Sequence, residues 1–202
     1  MENNQGYDRD KMYEKVVTIY LEANPNPNSL KFVTSMMLVD GMEQYDFSDM
    51  ENAAPCPLAQ ELFGFPFVER VFISSNFITI SKSAEVNWEE VQGALKDHII
   101  DYLQSGKVLF SKEALAAQEV SKGEETEIEA KIKMILDEYI RPAVESDGGA
   151  ITFHSFQNGV VKVLLQGACS GCPSSTITLK QGIENLLKHQ LPEVQSVEAV
   201  GV

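Results

Sequence analysis

The chain has 202 residues, 44% hydrophobic and 23% charged, so it can form packed cores and is not wholly disordered. That length exceeds one usual compact domain and points to two small ones. Sixteen Lys and Arg against thirty Asp and Glu leave a formal charge of −14. Phosphate backbones and anionic lipid heads repel such a chain, which argues against nucleic-acid or membrane-surface partners.

The first ten residues are polar, with no basic start leading into an apolar stretch, and read as neither a signal nor a transit peptide. Residues 1–14 are expected to be disordered or frayed. Apolar runs fall far short of the ~20 residues that span a bilayer. Three cysteines are too few and too odd for a disulfide framework and suggest a reducing compartment. The expected location is cytoplasmic.

A first domain is expected over 15–110. Its strands read as 16–21, 29–33, 68–74 and 77–81, the last two forming a hairpin that turns at Ser75-Asn76. A short helix is expected over 57–63. A longer one, from about 87 to 104, places Trp88, Val91, Leu95, Ile99 and Tyr102 on one buried face. Strands mixed with helices, without strict βαβ alternation, indicate an α+β domain.

Residues 111–126 offer few core candidates, a glycine and mounting acid, and read as a solvated acidic linker. The second domain, 127–202, is expected to be a helix-strand-strand-helix-strand module, so the fold class is α+β throughout. Ile128, Ile132, Ile135, Leu136 and Tyr139 share the face of a helix ending at Arg141-Pro142. Asp147-Gly148-Gly149 has turn chemistry, its glycines allowing positive φ. Strands 151–156 and 160–166 flank Gln157-Asn158-Gly159, a hairpin signal. A helix from Pro173 to about Gln190 turns Thr176, Leu179, Ile183 and Leu186 inward and stops before Pro192. A closing strand covers 194–200.

The stretch from Gly167 to Thr176 carries the chemistry: Gly-Ala-Cys-Ser-Gly-Cys-Pro-Ser-Ser-Thr, between a strand end and a helix start. A two-residue spacer brings the thiols of Cys169 and Cys172 to one side of a tight turn, where one metal centre reaches both. Gly171 lets the backbone fold closely around it. The helix N-terminus favours thiolate over thiol and stabilises an anionic centre. Zinc and iron–sulfur centres usually take four protein ligands. One chain has only Cys56, Cys169 and Cys172, with Cys56 in the other domain. The arithmetic points to two chains, each giving Cys169 and Cys172 to a shared, exposed and labile centre. Two alternatives stay open: a thiol–disulfide oxidoreductase using the same pair, and a zinc-stapled interaction module. His98, His154 and His189 are scattered, without a ligand partner in sequence. No P-loop, dinucleotide or Ser/His/Asp pattern is present, so no enzyme is expected.

From about residue 132 to 200, the chain resembles the C-terminal domain of the NifU family, the Nfu-type iron–sulfur scaffold or carrier proteins. The resemblance rests on Arg141-Pro142, on Asp147-Gly148-Gly149-Ala150, and on Gly167-Ala168-Cys169-Ser170-Gly171-Cys172-Pro173-Ser174-Ser175. The earlier half resembles the Nfu N-terminal domain through Pro25-Asn26-Pro27-Asn28-Ser29-Leu30-Lys31-Phe32, Pro57-Leu58-Ala59, Val71-Phe72-Ile73, Asn76-Phe77-Ile78-Thr79 and Trp88. What the resemblance implies is a protein that holds a [4Fe–4S] cluster, less often a [2Fe–2S], between two copies and passes it to apo-proteins. It implies Cys169 and Cys172 as the ligands, a homodimer when loaded, an upstream cluster donor and iron–sulfur client proteins. Cys56 departs from the family pattern. It reads as a small residue in a Pro-flanked loop, with an auxiliary thiol as the alternative.

Overall fold

The computed structural model describes residues 16–41, 43–111, 126–170 and 173–200, with side chains in the last segment described from 177 onward. The expected frayed start, residues 112–125 of the expected linker, and Cys172 lie outside the described residues.

Among the described residues, five strands form an antiparallel sheet in the order β1-β2-β5-β4-β3. These are β1 (Ile19–Ala23), β2 (Ser29–Thr34), β3 (Gln44–Phe47), β4 (Val68–Ser74) and β5 (Phe77–Lys82). Helix α1 (Pro57–Phe63) starts with Pro at its first position, and α2 (Trp88–Gln104) follows the sheet. Side chains alternate across a strand. One face of the sheet therefore carries Leu30, Phe32, Val71, Ile73, Ile78 and Ile80, which pack with Leu58, Leu62, Leu95 and Ile99 into the first core. The other face carries Lys31, Val33, Phe72, Phe77 and Thr79. Those residues are buried too, so this sheet is covered on both sides. Arg70, two residues before Phe72, shares that second face, and a bulge between Val68 and Arg70 returns Val68 to the first core.

Several boundaries depart from the sequence reading. β1 begins at Ile19, where pairing with Thr34 starts, leaving Val16 exposed. The edge strand β3 was not foreseen, because Gln-Tyr-Asp-Phe is short and half polar. Trp88 and Val91 are only half-buried, and the inner face of α2 centres on Leu95, Ile99 and Tyr102.

The second unit opens with α3 (Glu127–Ile135), capped by Thr126. Its hydroxyl accepts from Glu129 N–H while the Glu129 carboxylate accepts from Thr126 N–H, a reciprocal capping box. The helix then widens into a π turn, Leu136–Ile140, and continues as α4 (Arg141–Ser146) instead of ending at Arg141-Pro142. Pro142 has no N–H to return to the preceding turn, and the wider turn absorbs that loss. The same turn shifts the helical register, so Tyr139, expected inside, is 52% exposed.

Strands β6 (Gly149–Gln157) and β7 (Val160–Gly167) form the expected hairpin. Its turn has Asn158 at φ +52° and Gly159 at +79°, the left-handed pair that a two-residue hairpin turn requires. Helix α5 (Pro173–Gln190) leads to β8 (Ser196–Val200), which pairs parallel to β7 and gives the order β6-β7-β8. The second core joins Ile132, Ile135, Leu136 and Val144 to Ile151, Val161, Val163, Leu165, Ile183, Leu187 and Val197. On α5 the inner face runs through Ile183 and Leu187, with Leu179 and Leu186 at its margins and Thr176 outside the described side chains. Leu187→Ala should therefore destabilise the second unit by about 2–5 kcal/mol, measured as a lowered midpoint in urea denaturation.

Candidate metal-binding loop at the end of β7

Strand β7 ends at Gly167, whose φ of +60° turns the chain into the loop carrying Cys169. The loop is tightly pinned. Ala168 N–H donates to Gly148 O at 3.2 Å, Cys169 N–H to Gln166 O at 3.3 Å, and Ser170 N–H to Gly167 O at 3.1 Å. Cys169 is only 7% exposed and lies against the second core.

The Asp147-Gly148-Gly149 turn does more than reverse the chain. Gly148 has a positive φ of +75°, as expected, but Gly149 does not. Gly149 opens β6 opposite Gly167, and a Cβ there would fall 2.6 Å from Cys169 Sγ and 2.8 Å from Gln166 O. Glycine is required at 149 by lack of space, because the thiol occupies the volume a side chain would need. A cleft of about 370 Å³ beside Cys169 is lined by Pro25, Asn26, Val144, Asp147, Ala168 and Leu179, among others. Its walls come from both units.

The second face of the five-stranded sheet covers this loop. Thr79 Oγ1 donates to Gly148 O at 2.6 Å, and Asn26 Nδ2 to Ala168 O at 3.2 Å. Lys31 Nζ donates to Glu145 O at 3.0 Å and to Ser146 O at 3.2 Å, capping the C-terminal carbonyls of α4. Arg70 donates through Nη1 to Ser170 Oγ at 2.6 Å and through Nε to Asp46 Oδ1 at 2.9 Å. Burial pushes the Asp46 carboxyl above its ordinary range, partly offset by Arg70 and by the Gly167 N–H. Val33, Phe72, Phe77 and Ala150 form a small apolar cluster at the centre. The Phe72 ring lies against Gly167, where a Cβ would come within 2.8 Å of it. Single-sequence patterning did not reveal this contact. Its one signal was Val33, Phe72 and Phe77 at strand positions that a solvent-facing sheet would fill with polar residues.

The other flagged residues lie apart. Cys56 precedes α1 at its N-cap position, without a side-chain cap hydrogen bond, and is fully buried in the first core, where desolvation pushes its thiol up to about 11. It is packed as a small residue among the side chains of that core. His98 faces the Glu61 carboxylate at 3.0 Å, and His154 lies 3.2 Å from Ser155 Oγ. Among the described residues, no three His, Cys, Asp or Glu side chains group as a metal site, and no helix is long and apolar enough to cross a membrane.

Two family models match this chain. Residues 132–198 match the NifU-like domain, and residues 19–106 match the N-terminal domain of the Nfu/NifU scaffold protein. NifU-like protein 4, mitochondrial, of Arabidopsis thaliana is 39% identical over 188 residues, covering 91% of this chain and 66% of that protein. The NFU1 iron-sulfur cluster scaffold homolog, mitochondrial, of Homo sapiens is 39% identical over 183 residues, covering 90% of this chain and 71% of that protein. The chain belongs to the Nfu family of NifU-like proteins. It spans about two thirds of the length of these relatives. A solution structure of a NifU-like protein from Saccharomyces cerevisiae is 25% identical with a TM-score of 0.44, covering 55% of this chain and 99% of that one. The cytoplasmic expectation gives way here, since these Nfu relatives are mitochondrial by name. Charge and hydropathy set solubility, and they carry no compartment address.

Gly149→Ala should displace Cys169 Sγ, lower stability by about 1–3 kcal/mol, and change the rate of Cys169 thiol labelling. Thermal melting and peptide-resolved alkylation check both effects. Cys56 should resist alkylation at neutral pH until urea unfolds the chain. Its thiol pKa is raised in the folded state from 9.0 to about 11. Its contribution to stability is therefore complete below pH 9 and declines as pH rises toward 11, a slope that Cys56→Ala should remove from a pH series of urea midpoints.

Proposed function

We propose that this protein is an iron–sulfur cluster scaffold that holds a cluster, as cargo, between two chains and passes it to apo-proteins. Two domains, over 15–110 and 127–202, divide the work, with 111–126 as the connection. Cys169 and Cys172 are the ligands, and a [4Fe–4S] cluster is the favoured cargo. The single observation that carries this reading is the Cys169 loop, a thiol held against Gly149 at the mouth of α5 in a chain of the Nfu family. The donor chemistry fits, since thiolates are the usual cluster ligands, and the helix N-terminus lowers the cost of their charge.

One chain cannot complete a four-thiolate site. It has three cysteines, and Cys56 is sealed in the first core. A second copy supplying its own Cys169 and Cys172 makes four. Release then proceeds by ligand exchange: a client thiolate binds iron as one scaffold thiolate leaves, repeated until the cluster has moved. No covalent catalysis or redox change is needed.

The test is anaerobic reconstitution with ferrous iron and sulfide, read by visible absorption, Mössbauer spectra and native mass. The expected product is a brown dimer with one cluster per two chains. Cys169→Ala and Cys172→Ala should each lose it, while Cys56→Ala keeps it. A colourless wild-type chain would overturn the reading. A reversible Cys169–Cys172 disulfide with dithiol activity, or zinc at half an equivalent per chain, would replace it.

A further inference from the structure

The surface that a second chain would need is already occupied. Two loops that share one cluster must bring their thiolates to the same few metal atoms, each within about 2.3 Å of its metal by analogy with zinc–thiolate bonds. Yet Gly148, Gly149, Ala150, Ala168, Cys169 and Ser170 are all buried within a single chain. The cover is the second face of the five-stranded sheet, fastened through Asn26, Lys31, Arg70 and Thr79. The cleft left beside Cys169, about 370 Å³, has no room for another protein loop.

This cover is built to come off. Apart from the four-residue apolar cluster, its named fastenings are hydrogen bonds, from Asn26, Lys31 and Thr79 to backbone carbonyls and from Arg70 to the Ser170 hydroxyl. Water can replace those bonds at small net cost, and mainly polar contacts between domains are of the reversible kind. The two units are joined through residues 111–126, sixteen residues of sequence.

We propose that the N-terminal sheet is a latch on the cluster loop, competing with a second copy of the chain for the same surface, so that a shared cluster loads only when the sheet lifts off. This inference rests on the scaffold reading above and adds its regulation. Docked, the sheet shields the Cys169 loop and keeps the chain single. Undocked, it frees the loop for its twin and exposes Lys31, Arg70, Phe72 and Thr79 as a sheet face open to other proteins.

Lys31 reports the state of the latch. Its side chain is 10% exposed, and its ammonium is held by two α4 carbonyls and by Glu22. Amine footprinting with an acetylating reagent, resolved by peptide mass spectrometry, should find Lys31 slow in the unloaded chain. It should be roughly tenfold faster in the reconstituted dimer, with the exposed Lys107 unchanged as a control. The double variant Asn26→Ala, Thr79→Val removes two of the fastening bonds and touches no proposed ligand. It should label Lys31 faster before loading and take up cluster faster, each by roughly tenfold. A loaded dimer in which Lys31 stays as shielded as before overturns the latch and leaves the scaffold reading standing. Equal uptake rates in wild type and variant, despite faster Lys31 labelling in the variant, overturn it as well. Absence of cluster from wild type and variant alike overturns both readings.

Discussion

The contact between Cys169 Sγ and the bare backbone of Gly149 organises much of what surrounds it. A thiol can sit so close to a strand only where no side chain stands, so β6 must open on glycine. Its partner across the ladder, Gly167, is glycine for a related reason: its φ is positive, and the Phe72 ring lies where its Cβ would be. One glycine makes room for the proposed ligand and the other for the sheet that covers it. Gly148, between the turn and the strand, offers its carbonyl to Ala168 N–H and Thr79 Oγ1 together, so one backbone atom ties the loop, the turn and the sheet.

That tie explains an otherwise odd sheet. An antiparallel sheet with helices on one face usually leaves its other face to water. Here Lys31, Phe72 and Thr79 are buried on that face, and the half-buried ion pair of Asp46 with Arg70 is aimed at the loop. Buried charges are costly unless paired and hydrogen-bonded, and Lys31 and Arg70, paired with Glu22 and Asp46 in their own unit, each add hydrogen bonds across the boundary between the two units. The first unit thus carries cations whose hydrogen bonding is completed by the second.

Much of this was legible in the sequence. The β4–β5 hairpin, α1, the β6–β7 hairpin and the Cys-containing loop all lie where patterning and turn chemistry place them, because their signals are local. Asn158-Gly159 can hardly be anything but a left-handed turn. What could not be read was non-local. Tyr139 lies outside because a π turn next to Pro142 displaces the helical register. Leu187 lies inside because α5 packs on a sheet whose third strand arrives later. Gly149 looked like a turn residue, and only the fold shows that it makes space for a sulfur. The docked face of the first sheet left only a faint trace, the apolar residues Val33, Phe72 and Phe77 on the strand positions opposite the first core. The compartment was not legible at all, since nothing in packing or charge encodes it.

The parallel pairing of β8 with β7 has a consequence for biogenesis. The loop that bears Cys169 opens the crossover through α5 that β8 completes. Parallel partners joined by a crossover are brought together late, since a long stretch of chain must be ordered before their contacts reward it. The β6–β7 hairpin can form early, but the second core stays incomplete until Val197 reaches Val161. During that interval the thiol of Cys169 faces solvent in a chain not yet able to hold or shield anything. A newly made molecule is therefore most open to oxidation before it has finished folding, and the reducing power around it at that moment governs how much of it matures intact.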